Sequence, residues 1–247
     1  MIRVGTSGWN YPEWRGRFYP KGVPQRRWLE YLAGKVNSVE LNGSFYSLQR
    51  PTSYQSWAAQ TPADFVFAVK GSRYITHMKR LRDIDDALAN FFGSGVFLLG
   101  RKLGPILWQL PATSRFDPDL LAAFFDKLPR TTDTGQPVRH ALEPRHAGFT
   151  EPMFLDLLRE HRIGLVIADT AGKFPYLEDV TADFAYIRLH GDEELYASDY
   201  SDAALDAWAK KIRDLSGATE DVYVYFDNDI NAYAPWNAIS LAGRVVQ

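Results

Sequence analysis

Short segments of this chain alternate between apolar and polar residues, and longer amphipathic segments separate them. In the segment 38–42, Val39 and Leu41 fall on one side of an extended chain and the polar residues fall on the other. This period of two predicts strands at 2–6, 38–42, 65–70, 106–110, 139–143, 165–169, 185–190 and 221–227. The amphipathic segments predict helices at 24–32, 52–60, 84–92, 118–127, 150–161, 201–215 and 235–243.

Strand and helix follow each other close to eight times, and the weakest unit is the sixth, because residues 170–183 show little helical periodicity. Regular alternation predicts parallel strands with right-handed crossovers. Eight such units close most economically into a single (β/α)8 barrel of the TIM type over residues 1–247. An open doubly wound sheet is the alternative. It lacks support because Gly5-Thr-Ser-Gly8 is too short for a dinucleotide-binding turn, so no nucleotide cofactor is expected.

One side of the predicted strands is polar, and that side would face the barrel axis. It contributes Glu40, Asn42, Lys70, Gln109, Glu143, Arg145, Asp169, Arg188, His190, Tyr223, Tyr225 and Asp227. Barrel interiors are normally filled by branched apolar side chains, and a buried unpaired charge is costly. Most of these residues end their strands, where barrel enzymes place their chemistry. We therefore expect a ligand site at this mouth; a closed ion-pair network that plugs the barrel is the alternative.

A long connection after the first strand, residues 7–20, is rich in aromatic side chains. Long connections of this kind in a compact domain are usually functional or disordered, and the aromatic content argues against disorder. Its residues Trp9, Tyr11, Trp14 and Tyr19 are candidates to line a ligand cleft. Packing of the loop over the barrel rim is the other interpretation.

The composition narrows the possible partners. The chain is 46% hydrophobic and 23% charged with a net charge of -2, so a nucleic-acid or membrane partner would need a local patch. It has no cysteine, which excludes disulfides and thiolate metal sites. The start, Met1–Gly5, resembles a first strand and not a signal peptide, and no apolar run approaches the roughly 20 residues that span a bilayer. A soluble cytoplasmic protein with no membrane partner is expected.

Short motifs along the whole chain point to one family. They are Gly5-Thr-Ser-Gly-Trp9, Phe18-Tyr-Pro20, Val39-Glu-Leu-Asn42, Ser44-Phe-Tyr46, Ile75-Thr-His77, Leu103-Gly-Pro105, Gln109-Leu-Pro111, Glu143-Pro-Arg-His146, Ala168-Asp169, Tyr186-Ile-Arg-Leu-His-Gly191 and Tyr225-Phe-Asp-Asn228. With these motifs the chain resembles the YecE-like family, domain-of-unknown-function family 72. The resemblance implies a TIM-type barrel and supplies no reaction. Likeness to metal-dependent endonuclease and sugar-isomerase barrels is an analogy at the level of the fold.

The first functional hypothesis is a hydrolase or lyase that acts on a small anionic or phosphorylated substrate. Lys70, Arg145 and Arg188 would clamp the anion. Glu143 or Asp169 would act as the base, and His190 as the acid. Further predicted substrate contacts are Glu40, Asn42, Gln109, His77, Trp9, Tyr225 and Asp227, with Lys79 and Arg80 at the rim.

The second hypothesis is a divalent-metal enzyme, either a phosphodiesterase or a sugar isomerase. Its candidate ligands end consecutive predicted strands and are Glu143, Asp169, His190 and Asp227. Oxygen and imidazole ligands suit Mg²⁺, Mn²⁺ or Zn²⁺. Arg145 and Arg188 would crowd such a cation, so the cofactor stays open at this point.

Two further hypotheses belong to other classes. A glycoside hydrolase could use Glu40 and Glu143, with Trp9 and Trp14 stacking on sugars. A non-catalytic nucleic-acid-binding module could use basic and aromatic residues near the start, namely Arg15, Arg17, Phe18, Tyr19, Arg26, Arg27 and Trp28. His140 is expected to face the helix layer. The oligomeric state is left open.

Overall fold

A computed structural model describes residues 1–246, in which eight parallel strands close into one barrel. The strands are β1 Ile2–Ser7, β2 Ser38–Leu41, β3 Val66–Lys70, β4 Leu103–Gln109, β5 His140–Glu143, β6 Ile163–Asp169, β7 Phe184–Leu189 and β8 Asp221–Phe226. Strand β1 pairs with both β2 and β8, which closes the cylinder. The predicted (β/α)8 barrel is confirmed.

Helices surround the barrel. They are α1 Trp28–Ala33, α2 Gly43–Tyr46, α3 Pro51–Ala59, α4 Asp85–Gly93, α5 Pro118–Asp126, α6 Pro152–Glu160, α7 Asp202–Ala218 and α8 Ala234–Val245. Residues 170–183 contain no helix, as their weak periodicity predicted. None of the helices formed within residues 1–246 has the length and apolar character needed to cross a bilayer.

Local sequence signals explain where two of these helices begin. The Asp117 side chain accepts a hydrogen bond from the backbone N–H of Leu120 at 3.1 Å, and Pro118 occupies the first turn of α5. Ser201 caps α7 in the same way, by accepting from the N–H of Ala204 at 3.2 Å. Such caps satisfy N–H groups that have no partner inside the helix.

Alternation along the strands separates two apolar layers. The outward side chains pack with the helices in the main core. The inward side chains form a smaller cluster inside the barrel, with members Val66, Ala68, Leu107, Ala141, Val166, Ala168, Phe184, Tyr186, Tyr223 and Tyr225. His140 belongs to the outward side, where its ring stacks beside Trp108 and accepts from the indole N–H at 3.2 Å, as predicted. The inward polar residues near the strand ends, among them Glu143 and Arg188, lie above the inner cluster.

Close approach of β1 to β2 depends on a glycine. A Cβ atom at Gly5 would lie 1.8 Å from the carbonyl oxygen of Ser38, which is backbone and cannot move aside. Gly217, near the end of α7, has no atom within 4 Å of the same position.

Gly5→Ala is therefore expected to destabilise the barrel by about 3 kcal/mol or more, since overpacking forces the backbone of two strands apart. Gly217→Ala is the control and should stabilise the protein by about 0.5–1 kcal/mol, because alanine favours a helix. Urea denaturation measures both free energies of unfolding. Equal stability of the Gly5→Ala variant and the parent would contradict the close approach.

Candidate functional site

Arg188, from the inward side of β7, lies fully buried at the centre of the polar layer. Its Nε and Nη2 atoms donate to the two carboxylate oxygens of Glu40 at 3.0 and 2.8 Å, and Nη1 donates to Glu143 at 2.7 Å. Nη2 also donates to Asp227 at 2.9 Å and to the Ser7 hydroxyl at 3.0 Å. One cation thus joins carboxylates from three separate strand ends.

No N–H group of Arg188 is left for a ligand. The remaining donor of Nη1 lies 3.3 Å from Nε2 of His190. Burial opposes the charge of Arg188, but Glu40 and the other two carboxylates outweigh that effect and raise its pKa well above the usual value. The predicted place of Arg188 in an anion clamp is therefore wrong, and its structural role is to neutralise buried carboxylates.

The carboxylates of Glu40 and Glu143 are likewise bound by hydrogen-bond donors of the protein. Glu40 accepts from the Tyr186 hydroxyl at 2.6 Å and from the Ser7 hydroxyl, in addition to Arg188. Burial alone would raise the pKa of Glu143, but the charges of Arg145 and Arg188 hold it well below the usual range. A carboxylate so strongly paired is a poor proton acceptor. This arrangement does not favour the predicted base role of Glu143 or the two-carboxylate glycosidase.

His190 is buried beside Asp227. Burial and the charge of Arg188 lower the pKa of His190, which favours the neutral ring. Its Nδ1 atom lies 2.9 Å from Oδ2 of Asp227, at an angle too poor for a good hydrogen bond. Burial raises the pKa of Asp227, but Arg188 and His190 together hold it well below its usual range. Asp227 is therefore an ionised carboxylate at neutral pH.

Asp169 does not join this network, and its predicted inward orientation is wrong. In β6, Val166 and Ala168 belong to the inner cluster, so Asp169 falls on the outward side. Its Oδ2 atom accepts from the hydroxyl of Tyr200 at 2.9 Å, and Tyr200 packs in the outer core. Asp169 therefore anchors a neighbouring loop and can serve neither as the base nor as a metal ligand at the barrel axis.

The remaining metal candidates do not fit an ion. Glu143, His190 and Asp227 converge, but the guanidinium of Arg188 occupies the space between them. Within residues 1–246 no group of three or more His, Asp or Glu side chains is arranged to hold a metal ion. The donor set is thus already neutralised by a protein cation.

A cavity of about 1000 Å³ opens above the network at the C-terminal mouth. Predicted residues that line it are Trp9, Asn42, Lys70, His77, Gln109, Arg145 and Asp227. Glu40, Glu143, Arg188 and His190 are buried and do not line it. Tyr225 also lies below, where its hydroxyl lies 2.7 Å from that of Ser38, so its predicted contact with substrate is wrong.

Lys70, at the end of β3, is a buried charge at the mouth whose ammonium has no protein partner. The residue is 7% exposed and lines the cavity. The ammonium lies 4.4 Å from the centre of the Phe45 ring and has no hydrogen bond or ion pair to the described part of the chain. Burial and the charge of Arg188 lower the pKa of Lys70 to about 8.

Arg145 is the second cation with free donors. Its Nε atom donates to Glu143 at 2.7 Å, and its guanidinium lies over the ring of Phe174 at 4.7 Å. The hydroxyl of Tyr196 lies beside it. Apart from the nearby Tyr196 hydroxyl, its two terminal nitrogens have no hydrogen-bond partner in residues 1–246, so they can donate to a molecule in the cavity.

The basic segment after β3 supplies a different set of residues to the mouth of the barrel from the predicted set. It forms a π-helix, Tyr74–Met78, which places His77 against the cavity. Burial and the charge of Lys70 lower the pKa of His77 to about 4, so this ring is neutral at pH 7. Arg80 lies at a different cleft, and Arg73 supplies the rim cation in its place.

The aromatic loop divides into two pairs. Trp9 and Tyr11 line the cavity, whereas Trp14 and Tyr19 are fully buried beneath the loop. The indole N–H of Trp14 donates to the backbone oxygen of Asp229 at 3.1 Å. Trp14 therefore positions the chain after β8 and cannot stack on a sugar.

Sequence reasoning missed a second carboxyl group at the mouth. Asp229 lines the cavity, and its Oδ1 atom is buried without a hydrogen-bond partner among residues 1–246. Burial and the neighbouring charge of Asp227 raise the pKa of Asp229 well above its usual range. The signal in the sequence that could have identified Asp229 was its position two residues after Asp227. One carboxyl group that favours its ionised form thus lies beside one that favours its protonated form.

Replacing the central cation should lower the free energy of unfolding far more than replacing a surface cation. Arg188→Met leaves three buried carboxylates without their partner, and we expect a loss of about 3–5 kcal/mol in the free energy of unfolding. The control, Arg159→Met, breaks exposed ion pairs and should change little. Urea denaturation at pH 7 measures both. Similar losses for the two variants would contradict the central role of Arg188.

Comparison with known proteins places this chain among proteins of open function. A protein of Escherichia coli, "UPF0759 protein YecE", is 35% identical over 143 residues, which cover 57% of this chain and 49% of that protein. The chain thus spans about half the length of this relative. A crystal structure of a DUF72 family protein from Thermotoga maritima matches all of both chains with a TM-score of 0.86 and 29% identity.

A xylose isomerase domain containing protein from Salmonella typhimurium shares the fold alone, with a TM-score of 0.54 and 10% identity over 91% of this chain and 92% of that one. The family described as "Protein of unknown function DUF72" matches residues 3–247. The chain belongs to the DUF72 family.

Proposed function

We propose that this protein is an enzyme that binds a small anionic ligand, with a phosphate or carboxylate group, in the cavity at the C-terminal mouth. The observation that carries the proposal is the unpaired ammonium of Lys70, buried against that cavity. A buried cation without a partner is costly, and a bound anion would compensate it. The free nitrogens of Arg145 would supply directed, charge-assisted hydrogen bonds to the same group.

The charges that face the cavity support this choice. Its lining includes the cations Lys70, Arg73 and Arg145. It also includes the carboxyl groups of Glu13, Asp227 and Asp229, of which Asp229 favours its protonated form. The carboxylates Glu40 and Glu143 lie beneath and are neutralised by Arg188. Anions at the mouth would therefore meet cations that the protein itself leaves partly unsatisfied.

The two carboxyl groups after β8 support an enzymatic role. Asp227 favours its ionised form and Asp229 its protonated form, and both line the cavity. Neighbouring groups whose pKa values are pushed apart are suited to act as base and acid. The reaction would be that of a hydrolase or a lyase, with Asp227 and Asp229 in the roles that sequence analysis gave to Glu143, Asp169 and His190.

Sulfate tests the anion site, because it stays doubly charged between pH 6 and pH 10. Arg145→Gln should weaken sulfate binding about tenfold or more, since one charge-assisted hydrogen bond contributes about 1.5–3 kcal/mol. Arg159→Gln, on α6 and outside the cavity lining, should bind like the parent. Isothermal titration calorimetry gives the affinities. The proposal fails if the parent binds no sulfate, or if both variants match it.

The pH dependence should follow Lys70. Its pKa of about 8 means that the ammonium is present below pH 8 and is lost as the pH rises through that value. Sulfate affinity should therefore fall between pH 7 and pH 9. In Lys70→Gln the affinity should be weaker at pH 7 and nearly constant over this range. A parent affinity that is equal at pH 7 and pH 9 would show that Lys70 does not contact the anion.

A further inference from the structure

The buried Lys70 and the half-buried Lys102 differ in how their amines are used. Lys102 donates to the backbone oxygens of Ala58 and Thr61 at 2.6 and 2.8 Å and to the Thr61 hydroxyl at 3.0 Å. The ammonium of Lys70 makes no hydrogen bond to residues 1–246, and it reaches the large cavity. Lys102 therefore has an evident structural role, whereas the amine of Lys70 is placed where a small molecule can meet it.

The surroundings of Lys70 also favour a nucleophile. Burial and the charge of Arg188 bring its pKa to about 8, so roughly half of the amine is neutral at pH 8. An ordinary lysine, with a pKa near 10.4, is less than about 1% neutral at that pH. Only the neutral amine has the lone pair that attacks a carbonyl carbon.

We propose that Lys70 forms a Schiff base with the aldehyde or ketone group of a small anionic substrate held by Arg145. This inference rests on the proposed anion site and names its substrate class, an anionic carbonyl compound. Lys70 and Arg145 line the same cavity, so one molecule can reach both. The cavity of about 1000 Å³ has room for a substrate of this size.

The step balances with groups at the mouth. The neutral amine of Lys70 adds to the carbonyl carbon, a C–N bond forms, and the carbonyl oxygen takes the proton of Asp229. The nitrogen then returns a proton to Asp229, which passes it to the hydroxyl group as that group leaves as water. The products are an iminium ion on Lys70, one water molecule and an ionised Asp229. The iminium withdraws electrons from the adjacent carbon bond, which is the chemistry a lyase needs.

Borohydride reduction of the iminium is the test, because it makes the adduct permanent. The parent protein is treated at pH 8 with glyceraldehyde 3-phosphate or with glyceraldehyde, reduced, digested and analysed by mass spectrometry. With the phosphorylated aldehyde we expect Lys70 to be labelled at least tenfold faster than the exposed Lys173. Excess sulfate should slow labelling at Lys70 and leave Lys173 unchanged.

Two variants serve as controls for folding and for the anion site. Lys70→Arg keeps the charge and removes the nucleophile, so it should keep the circular dichroism spectrum of the parent and show only the background labelling of exposed lysines. Arg145→Gln keeps the amine, so Lys70 should still react with glyceraldehyde and lose its preference for the phosphorylated form.

The outcomes separate the inference from the proposed function. If sulfate binds but Lys70 reacts no faster than Lys173 with either aldehyde, the Schiff base is overturned and the anion site stands. If Lys70 reacts equally fast with both aldehydes and sulfate gives no protection, the nucleophile stands and the anionic substrate class is overturned.

Discussion

The polar layer of this barrel depends on one buried guanidinium. Arg188 brings Glu40, Glu143 and Asp227 together, although they come from β2, β5 and the end of β8. Each of these carboxylates would be costly to bury alone, and the attraction of one shared cation offsets part of that cost. Six directed contacts also fix where each strand end lies around the axis. The positions of the strand ends and the charge at the mouth therefore depend on the side chain of Arg188.

Because the lower charges satisfy one another, the upper ones stay available. Lys70 and Arg145 face a cavity, whereas Arg188 faces only protein. The lower layer is the closed ion-pair network that the sequence left open as one alternative, and the cavity where a ligand site was expected lies above it. Glu143 and His190, two of the three residues first assigned to catalysis, belong to the lower layer, and the groups suited to chemistry lie above it.

Alternation along the strands was enough to predict the barrel and the inward side chains of β3, β5 and β7. It failed at Asp169, because the preceding residues of β6 are apolar on both sides and give no sign of which side faces the axis. It also could not show that Arg188 is saturated, since its partners lie as far as 181 residues away in sequence. The difference between Trp9 and Trp14 depends on how a loop packs, which no period reveals.

In the sixth strand–helix unit, the segment 170–183 stands where a helix would otherwise follow the strand. Thr181 fastens its end to β6 through the backbone of Ile163 and Leu165. Its residue Phe174 supports the guanidinium of Arg145 from one side. Substitutions or insertions near Phe174 would re-aim Arg145 while leaving the strands intact. Variation in this one connection would therefore change how Arg145 is presented to the cavity in other members of the family.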